Sequence, residues 1–201
     1  PRPERKVPDE PRVGQVNGLA VYGPNMGALM EIEVTAIKAS RAGEGTLNVT
    51  GAVDEEEMGG GSKTLRRKSM ARSSAENVLT VLRKLGFPVR DYDIHINFPG
   101  GVPMDGPSAG IAIASAVVSA MLDIPADNLT AMTGEVSIQG KVKPGGGIVA
   151  KVEAALHAGA ARVIIPRENW QQMFSRWEGI EIVPVDTVEE ALRLVLGAGA
   201  I

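Results

Sequence analysis

Ser108, Thr133 and Lys151 are the residues of this 201-residue chain whose types and surroundings could do chemistry. Ser108 stands in GVPMDGPSAG, residues 101–110, where an apolar segment gives way to a glycine-rich loop and then to a helix. With Asp105 or Gly106 as the cap, Pro107 takes the first helical position, where no N–H is needed, and Ser108 falls in the first turn. Free backbone N–H groups at that positive end can hold an anion, either a phosphate or the oxyanion of a tetrahedral intermediate. The flanking glycines let another backbone come close. Read alone, the loop admits three roles for Ser108: a packing serine like Ser115 and Ser119 further along the same helix, part of a phosphate cradle, or a nucleophile.

A nucleophilic serine needs a base, and the chain has only two histidines, His95 and His157, neither in a recognisable motif. Cysteine is absent, which removes disulfides, thiolate metal sites and a cysteine nucleophile and fits a reducing compartment. The search therefore turns to lysine. Lys151 follows Gly145-Gly146-Gly147 at the start of a helix, where the macrodipole opposes a positive charge. Its neighbours three and four positions away are Gly147, Ile148, Ala154 and Ala155, so no acid on its own helix can pair with it. Such surroundings favour the neutral amine, the form that accepts a proton. The competing role is an ordinary surface lysine whose stem lies along apolar surface. Thr133, in MTGEVSIQG, can supply a hydroxyl that orients the lysine amine, or can simply satisfy strand propensity.

These residues need elements to hold them. VGQVNGLAVYG (13–23), ALMEIEVTAIKAS (28–40) and GTLNVTGAV (45–53) read as strands of an antiparallel sheet separated by turn residues. Ser62 is placed to cap a long helix, SKTLRRKSMARSSAENVLTVLRKLG, that stops at Gly86. YDIHINFP (92–99) is a strand, PSAGIAIASAVVSAML a helix of small residues, MTGEVSIQGKVKP (132–144) a strand pair about Gln139-Gly140, and IVAKVEAALHAGA a helix. RVIIP, RENWQQMFSRW, IEIVPV and TVEEALRLVLG then alternate strand, helix, strand, helix, which predicts a small parallel unit at the C-terminal end. The expected class is α+β: a mainly antiparallel N-terminal sheet, packed helices and a C-terminal parallel β-α-β unit. The chain opens at Pro1, and PRPERKVPDEPR (1–12) is expected to be a linker remnant of a longer protein, with one domain over 13–201.

The net charge of −3, with both signs spread along the chain, gives no electrostatic case for nucleic acid or a membrane surface as the main partner. No run of about 18 apolar residues occurs, and the polar start is unlike a signal peptide. A cytoplasmic location is expected. GGGSKT (59–64) lacks the consecutive Gly-Lys-Ser/Thr of a phosphate-binding loop and reads as a helix start, and DEEE (54–57) reads as a solvated loop.

Taken together, PMDGPSAG, MTGEVSIQG and GKVKPGGGIVAKVEAA, in that order, resemble the proteolytic domain of the Lon family, serine–lysine dyad peptidases attached to ring-forming ATPases. VNGLAVYG and DIHINFPGG add to the resemblance, which runs from about Val13 to Leu196 and is nearest to the bacterial Lon B-type branch. It implies that Ser108 is the nucleophile, Lys151 its general base and Thr133 a hydrogen-bond partner of Lys151. It also implies an oxyanion site of backbone N–H groups around Gly106, Pro107 and Ser108, with Asp105 as a regulator of the loop. Many relatives have Pro-Lys-Asp where this chain has Pro103-Met104-Asp105, and Pro-Ile-Gly-Gly where it has Pro144-Gly145-Gly146-Gly147; the third glycine puts the rigidity of the loop before Lys151 in question. The resemblance implies no cofactor or metal in this domain, ATP and magnesium in an AAA+ ATPase domain of the parent chain, unfolded polypeptides as substrates and a homo-hexameric assembly. Two rivals remain: a phosphate-binding domain like those of the GHMP small-molecule kinases, which would leave Lys151 without a role, and a non-catalytic ring scaffold, which should lack the serine–lysine pair.

Overall fold

The computed structural model describes residues 7–8, 10–51, 70–100 and 106–200. The described strands are β1 (Gln15–Tyr22), β2 (Met26–Lys38), β3 (Leu47–Thr50), β4 (Tyr92–Asn97), β5 (Thr130–Met132), β6 (Glu135–Val136), β7 (Val142–Lys143), β8 (Arg162–Pro166) and β9 (Glu181–Val185). Seven of them form one sheet in the order β3-β4-β2-β1-β5-β8-β9, and β6 pairs with β7 in a separate two-stranded sheet. Strands β1 (Gln15–Tyr22), β2 (Met26–Lys38) and β4 (Tyr92–Asn97) form an antiparallel half, β1 pairing with β2 and β2 with β4. Strands β5 (Thr130–Met132), β8 (Arg162–Pro166) and β9 (Glu181–Val185) form a parallel half, joined to the first by the parallel pair β1–β5. The expected antiparallel N-terminal sheet and parallel C-terminal unit are thus two halves of one sheet. The third N-terminal run, β3 (Leu47–Thr50), does not continue the hairpin: it lies outside β4 and parallel to it. Period-two alternation reports which face a residue occupies, not which strand it pairs with.

Helices cover both faces. On one, α1 (Met70–Lys84), α2 (Gly110–Leu122) and α4 (Val188–Leu196) enclose a core that includes Val16, Ala20, Ile32, Ile96 and Ile164. On the other, α3 (Ile148–His157) packs over Leu19, Leu29, Ala131, Val163 and Ile165. Neighbouring residues of one strand, Leu19 and Ala20 or Val163 and Ile164, feed opposite cores, as the pleat requires. Helix α1 buries Ala71, Ser74, Ala75, Val78, Val81 and Leu82, the spacing of a single helical face, and ends with Arg83 and Lys84 before Gly86 at φ +98°. Every residue of α2 except Ala120 and Leu122 is buried, as suits a helix that is apolar all round. Its inner serines have structural work: Ser115 donates to the Ile111 carbonyl at 2.9 Å, and Ser119 Oγ accepts from the Gly14 N–H at 2.8 Å. Helix α4 opens on a capping box, Thr187 with Glu190.

One segment differs from the sequence expectation. The RENWQQMFSRW stretch forms two short 3₁₀ turns, Arg167–Asn169 and Gln172–Arg176, instead of one helix. Extended backbone at Trp170 and Gln171 lets Phe174 turn into the core, between Trp170 and Trp177 in edge-to-face contacts of 5.8 and 5.6 Å. Within residues 1–12, expected as a linker, the Val7 side chain is buried, its N–H donates to the Ala158 carbonyl at 3.0 Å, and Arg12 bridges Ala126. Asp105, Met104, the cap Ser62 with the GGGSKT stretch, and DEEE lie outside the described residues.

Candidate active site

Ser108 and Lys151 come from helices on opposite faces of the sheet, and they meet at its end. Ser108 lies in a 3₁₀ turn, Gly106–Ala109, that leads into α2. The α-helix itself starts at Gly110, so the serine sits in a tighter entry turn than the first α-helical turn expected for it. This turn is held from several sides. A Cβ at Gly106 would stand 2.6 Å from Met70 Cβ of α1, and one at Gly110 would stand 2.6 Å from the Val136 nitrogen. Both glycines are therefore required by close approach rather than by flexibility.

Beyond the turn, the strand after β5 clasps the helix entry. Gly134 N–H donates to the Ser108 carbonyl at 2.9 Å, and Ile111 N–H donates to the Gly134 carbonyl at 3.0 Å. Thr133, directly before Gly134, is 2 % exposed, and its N–H donates to the Ile164 carbonyl of β8 at 3.1 Å. The serine, the strand end and the threonine are thus tied together through backbone bonds, at the carboxyl ends of two parallel strands, β5 and β8. Loops at such strand ends are the usual seat of sites in sheets covered on both faces.

Lys151 reaches the same place from the other face. Helix α3 begins after Gly147, whose φ of +70° places it in the left-handed region, and Lys151 N–H donates to the Gly147 carbonyl at 3.0 Å. The helix has no acidic residue in its first turn. Its N-terminal end rests on the β1–β2 hairpin: a Cβ at Gly147 would lie 2.5 Å from Val21 Cγ2, and one at Gly27 would overlap the Ala150 carbonyl oxygen. Lys151 is 1 % exposed, which excludes the ordinary surface lysine of the competing reading. Ser108 is 3 % exposed. One point fixes their relation: a Cβ built on Gly145 would stand 3.7 Å from Lys151 Nζ and 3.9 Å from Ser108 Cβ. The amine and the serine side chain therefore converge on the space beside Gly145, where a bound carbonyl could reach both.

Neither Gly145 nor Asn169 stands out in the sequence as a site residue. Gly145 N–H donates to Asn169 Oδ1 at 3.0 Å, and Asn169 Nδ2 donates to the Gly145 carbonyl at 3.0 Å. A side-chain amide carries one acceptor and one donor side by side, the same pair a neighbouring strand would offer. Nothing in RENW announces it, because the partner lies 24 residues away in sequence. The histidines stand elsewhere: His95 on β4 shares a 2.8 Å hydrogen bond with Thr50 Oγ1, and His157 ends α3, exposed. Among the described residues, no group of three or more His, Asp or Glu could hold a metal ion, and no helix is long and apolar enough to cross a membrane.

Comparison with known proteins points to one family. The family model described as the Lon protease (S16) C-terminal proteolytic domain matches residues 2–198. The chain is similar to Lon protease 2 of Bacillus subtilis (strain 168), 56% identical over 196 residues that make up 98% of this chain and 35% of that protein. Archaeal Lon proteases are similar as well: that of Archaeoglobus fulgidus is 38% identical over 192 residues, 93% of this chain and 29% of the relative, and that of Pyrococcus abyssi 36% identical over 189 residues, 92% and 18%. The chain spans about a third or less of the length of these curated relatives.

Proposed function

We propose, because this chain belongs to the Lon protease (S16) C-terminal proteolytic domain family, that it cleaves peptide bonds with Ser108 as nucleophile and Lys151 as general base and acid. The observation that carries the assignment is the convergence of Lys151 Nζ and Ser108 Cβ on one point beside Gly145, with both side chains out of solvent. A serine and a lysine so placed suit acyl transfer. As Ser108 Oγ attacks the substrate carbonyl carbon, its proton passes to the Lys151 amine. The tetrahedral intermediate collapses with the proton returned from Lys151 to the leaving nitrogen, and the carbonyl remains bonded to Oγ. Water then gives a proton to Lys151 and attacks the acyl carbon, and Ser108 recovers its proton as the new carboxyl leaves.

The supporting parts follow from the elements that hold the pair. Thr133, buried at the end of β5, is assigned the hydroxyl that orients Lys151. Oxyanion stabilisation falls to backbone N–H groups of the Gly106–Ser108 turn; Pro107 has no N–H and contributes a fixed φ, so Gly106 and Ser108 are the donors. Asp105 is assigned a regulatory place just ahead of that turn. In the whole protein, unfolded polypeptides are the substrates, an ATPase domain of the same chain with ATP and magnesium delivers them, and six copies assemble, in the cytoplasm. The domain is taken to begin at residue 13. Support for these wider assignments is the similarity to Lon proteases at up to 56% identity.

The test is cleavage of an unfolded protein substrate by the full protein and by its Ser108→Ala and Lys151→Ala variants. Both substitutions are expected to abolish turnover. Cleavage at the wild-type rate by either variant overturns the dyad.

A further inference from the structure

The loop that carries Lys151 poses a physical problem, since Gly145, Gly146 and Gly147 give the chain its widest conformational freedom just where an amine must be held to a fraction of an ångström. Its two ends are anchored. On one side, Val142 N–H donates to the Asp186 carbonyl at 2.9 Å, and Lys141 bridges Thr187. On the other, Gly147 is fitted against Val21 and caps α3. Between these anchors, the Asn169 side chain bonds the loop backbone, taking both main-chain groups of Gly145 at 3.0 Å each. Its amide orientation is determined by that pair, because exchanging oxygen and nitrogen would face donor to donor and acceptor to acceptor.

Asn169 is itself well seated. It closes the 3₁₀ turn Arg167–Asn169 immediately after β8, and Trp170 N–H donates to the Arg167 carbonyl at 3.0 Å. Arg167 Nε donates to Asp186 Oδ2 at 2.8 Å, tying the turn to the residue that follows β9. The same Asp186 holds Val142 through its carbonyl. The clamp on Gly145 and the anchor of the strand before it therefore share one foundation, the carboxyl ends of β8 and β9. Gly145 in turn is the residue whose Cβ direction points at both Lys151 Nζ and Ser108 Cβ.

We propose that Asn169 is a positioning residue of the catalytic pair, acting as a one-residue strand partner that pins Gly145 and so fixes the wall against which Lys151 and Ser108 meet. The proposal rests on the dyad reading given above. The side-chain hydrogen bonds of Asn169 go to Gly145, and it acts on turnover through the loop.

The experiment uses the full protein and a fluorogenic unstructured peptide, with kcat and KM measured for wild type, Asn169→Ala, Asn169→Asp, Ser108→Ala and Lys151→Ala, alongside thermal unfolding. Asn169→Ala is expected to lower kcat about 10- to 100-fold, the scale of a sub-ångström to 1 Å misplacement, with KM within about twofold. Asn169→Asp keeps an acceptor for the Gly145 N–H but faces its carbonyl with a carboxylate, and is expected to lose kcat as well despite its near-identical shape. A second change separates positioning from general damage. A Cβ at Gly146 meets nothing within 4 Å, so Gly146→Ala narrows the loop's freedom without a clash, and in the Asn169→Ala background it is expected to restore part of kcat. Wild-type kcat in Asn169→Ala, with Ser108→Ala and Lys151→Ala inactive, overturns the clamp and leaves the dyad standing. A kcat loss matched by a fall in unfolding temperature and untouched by Gly146→Ala also overturns it. Turnover by Ser108→Ala or Lys151→Ala instead marks failure of the dyad itself.

Discussion

Replacing Gly145 with alanine should separate stability from turnover. The backbone there is not in the left-handed region, and the new methyl would stand 3.7 Å from Lys151 Nζ and 3.9 Å from Ser108 Cβ, ordinary contact distances that require no shift. The main-chain bonds to Asn169 survive, since alanine keeps the same N–H and carbonyl. Losing a glycine from the unfolded chain stabilises a compatible site by about 0.4–1 kcal/mol, which raises the unfolding temperature of a domain of this size by roughly 1–4 °C. The same methyl occupies the space that a scissile carbonyl must enter to come within about 3–3.5 Å of the serine oxygen. Displacing the carbonyl by about 1 Å costs on the order of a hundredfold in kcat/KM, equivalent to about 2.7 kcal/mol of activation free energy. Peptide hydrolysis and differential scanning calorimetry on the same preparation read both effects. Activity within twofold of wild type would show that reaction does not occur beside Gly145, and the geometric basis of the site would fall.

Other substitutions probe the walls and the frame. Gly147→Ala meets Val21 Cγ2 at 2.5 Å from a φ of +70°, and is expected to lower stability in urea by at least about 1–2 kcal/mol. Gly110→Ala drives a methyl to 2.6 Å from the Val136 nitrogen and 3.0 Å from the Gly134 oxygen, so it should both destabilise the domain and, by shifting the Ser108 turn, abolish cleavage; normal cleavage by a folded variant would contradict that packing. Lys151→Met puts an apolar chain of similar volume into a site that is 1 % exposed, and is expected to unfold within about 1 kcal/mol of wild type or above it while losing all turnover. Arg162→Met removes bonds to Thr130 Oγ1, Asp127 Oδ2 and the Leu194 carbonyl, and should cost about 1–3 kcal/mol in chemical denaturation with kcat unchanged, since this network lies in the frame and not at the dyad.

The sequence by itself determined the local matters: which stretches alternate or repeat at helical spacing, where α1 stops, and that a chain without cysteine and with two uncommitted histidines must look to lysine for a base. It also singled out Lys151, because the lack of an acid three or four positions from it and its place after Gly147 are properties of neighbouring residues. Tertiary structure decided the rest. Strand pairing brought β4 between β2 and β3 and merged two expected sheets into one, which no period-two pattern encodes. Aromatic packing of Phe174 broke an expected helix into two turns. The burial of Lys151, a residue type usually found in water, became visible only once α3 lay against the hairpin of β1 and β2. The third glycine before Lys151, which read as a source of slackness, is the residue that Asn169 holds by both of its main-chain groups. A hydrogen bond between residues 24 apart depends on the path of the whole chain between them, and for that reason the site's rigidity belongs to the fold and not to the loop's composition.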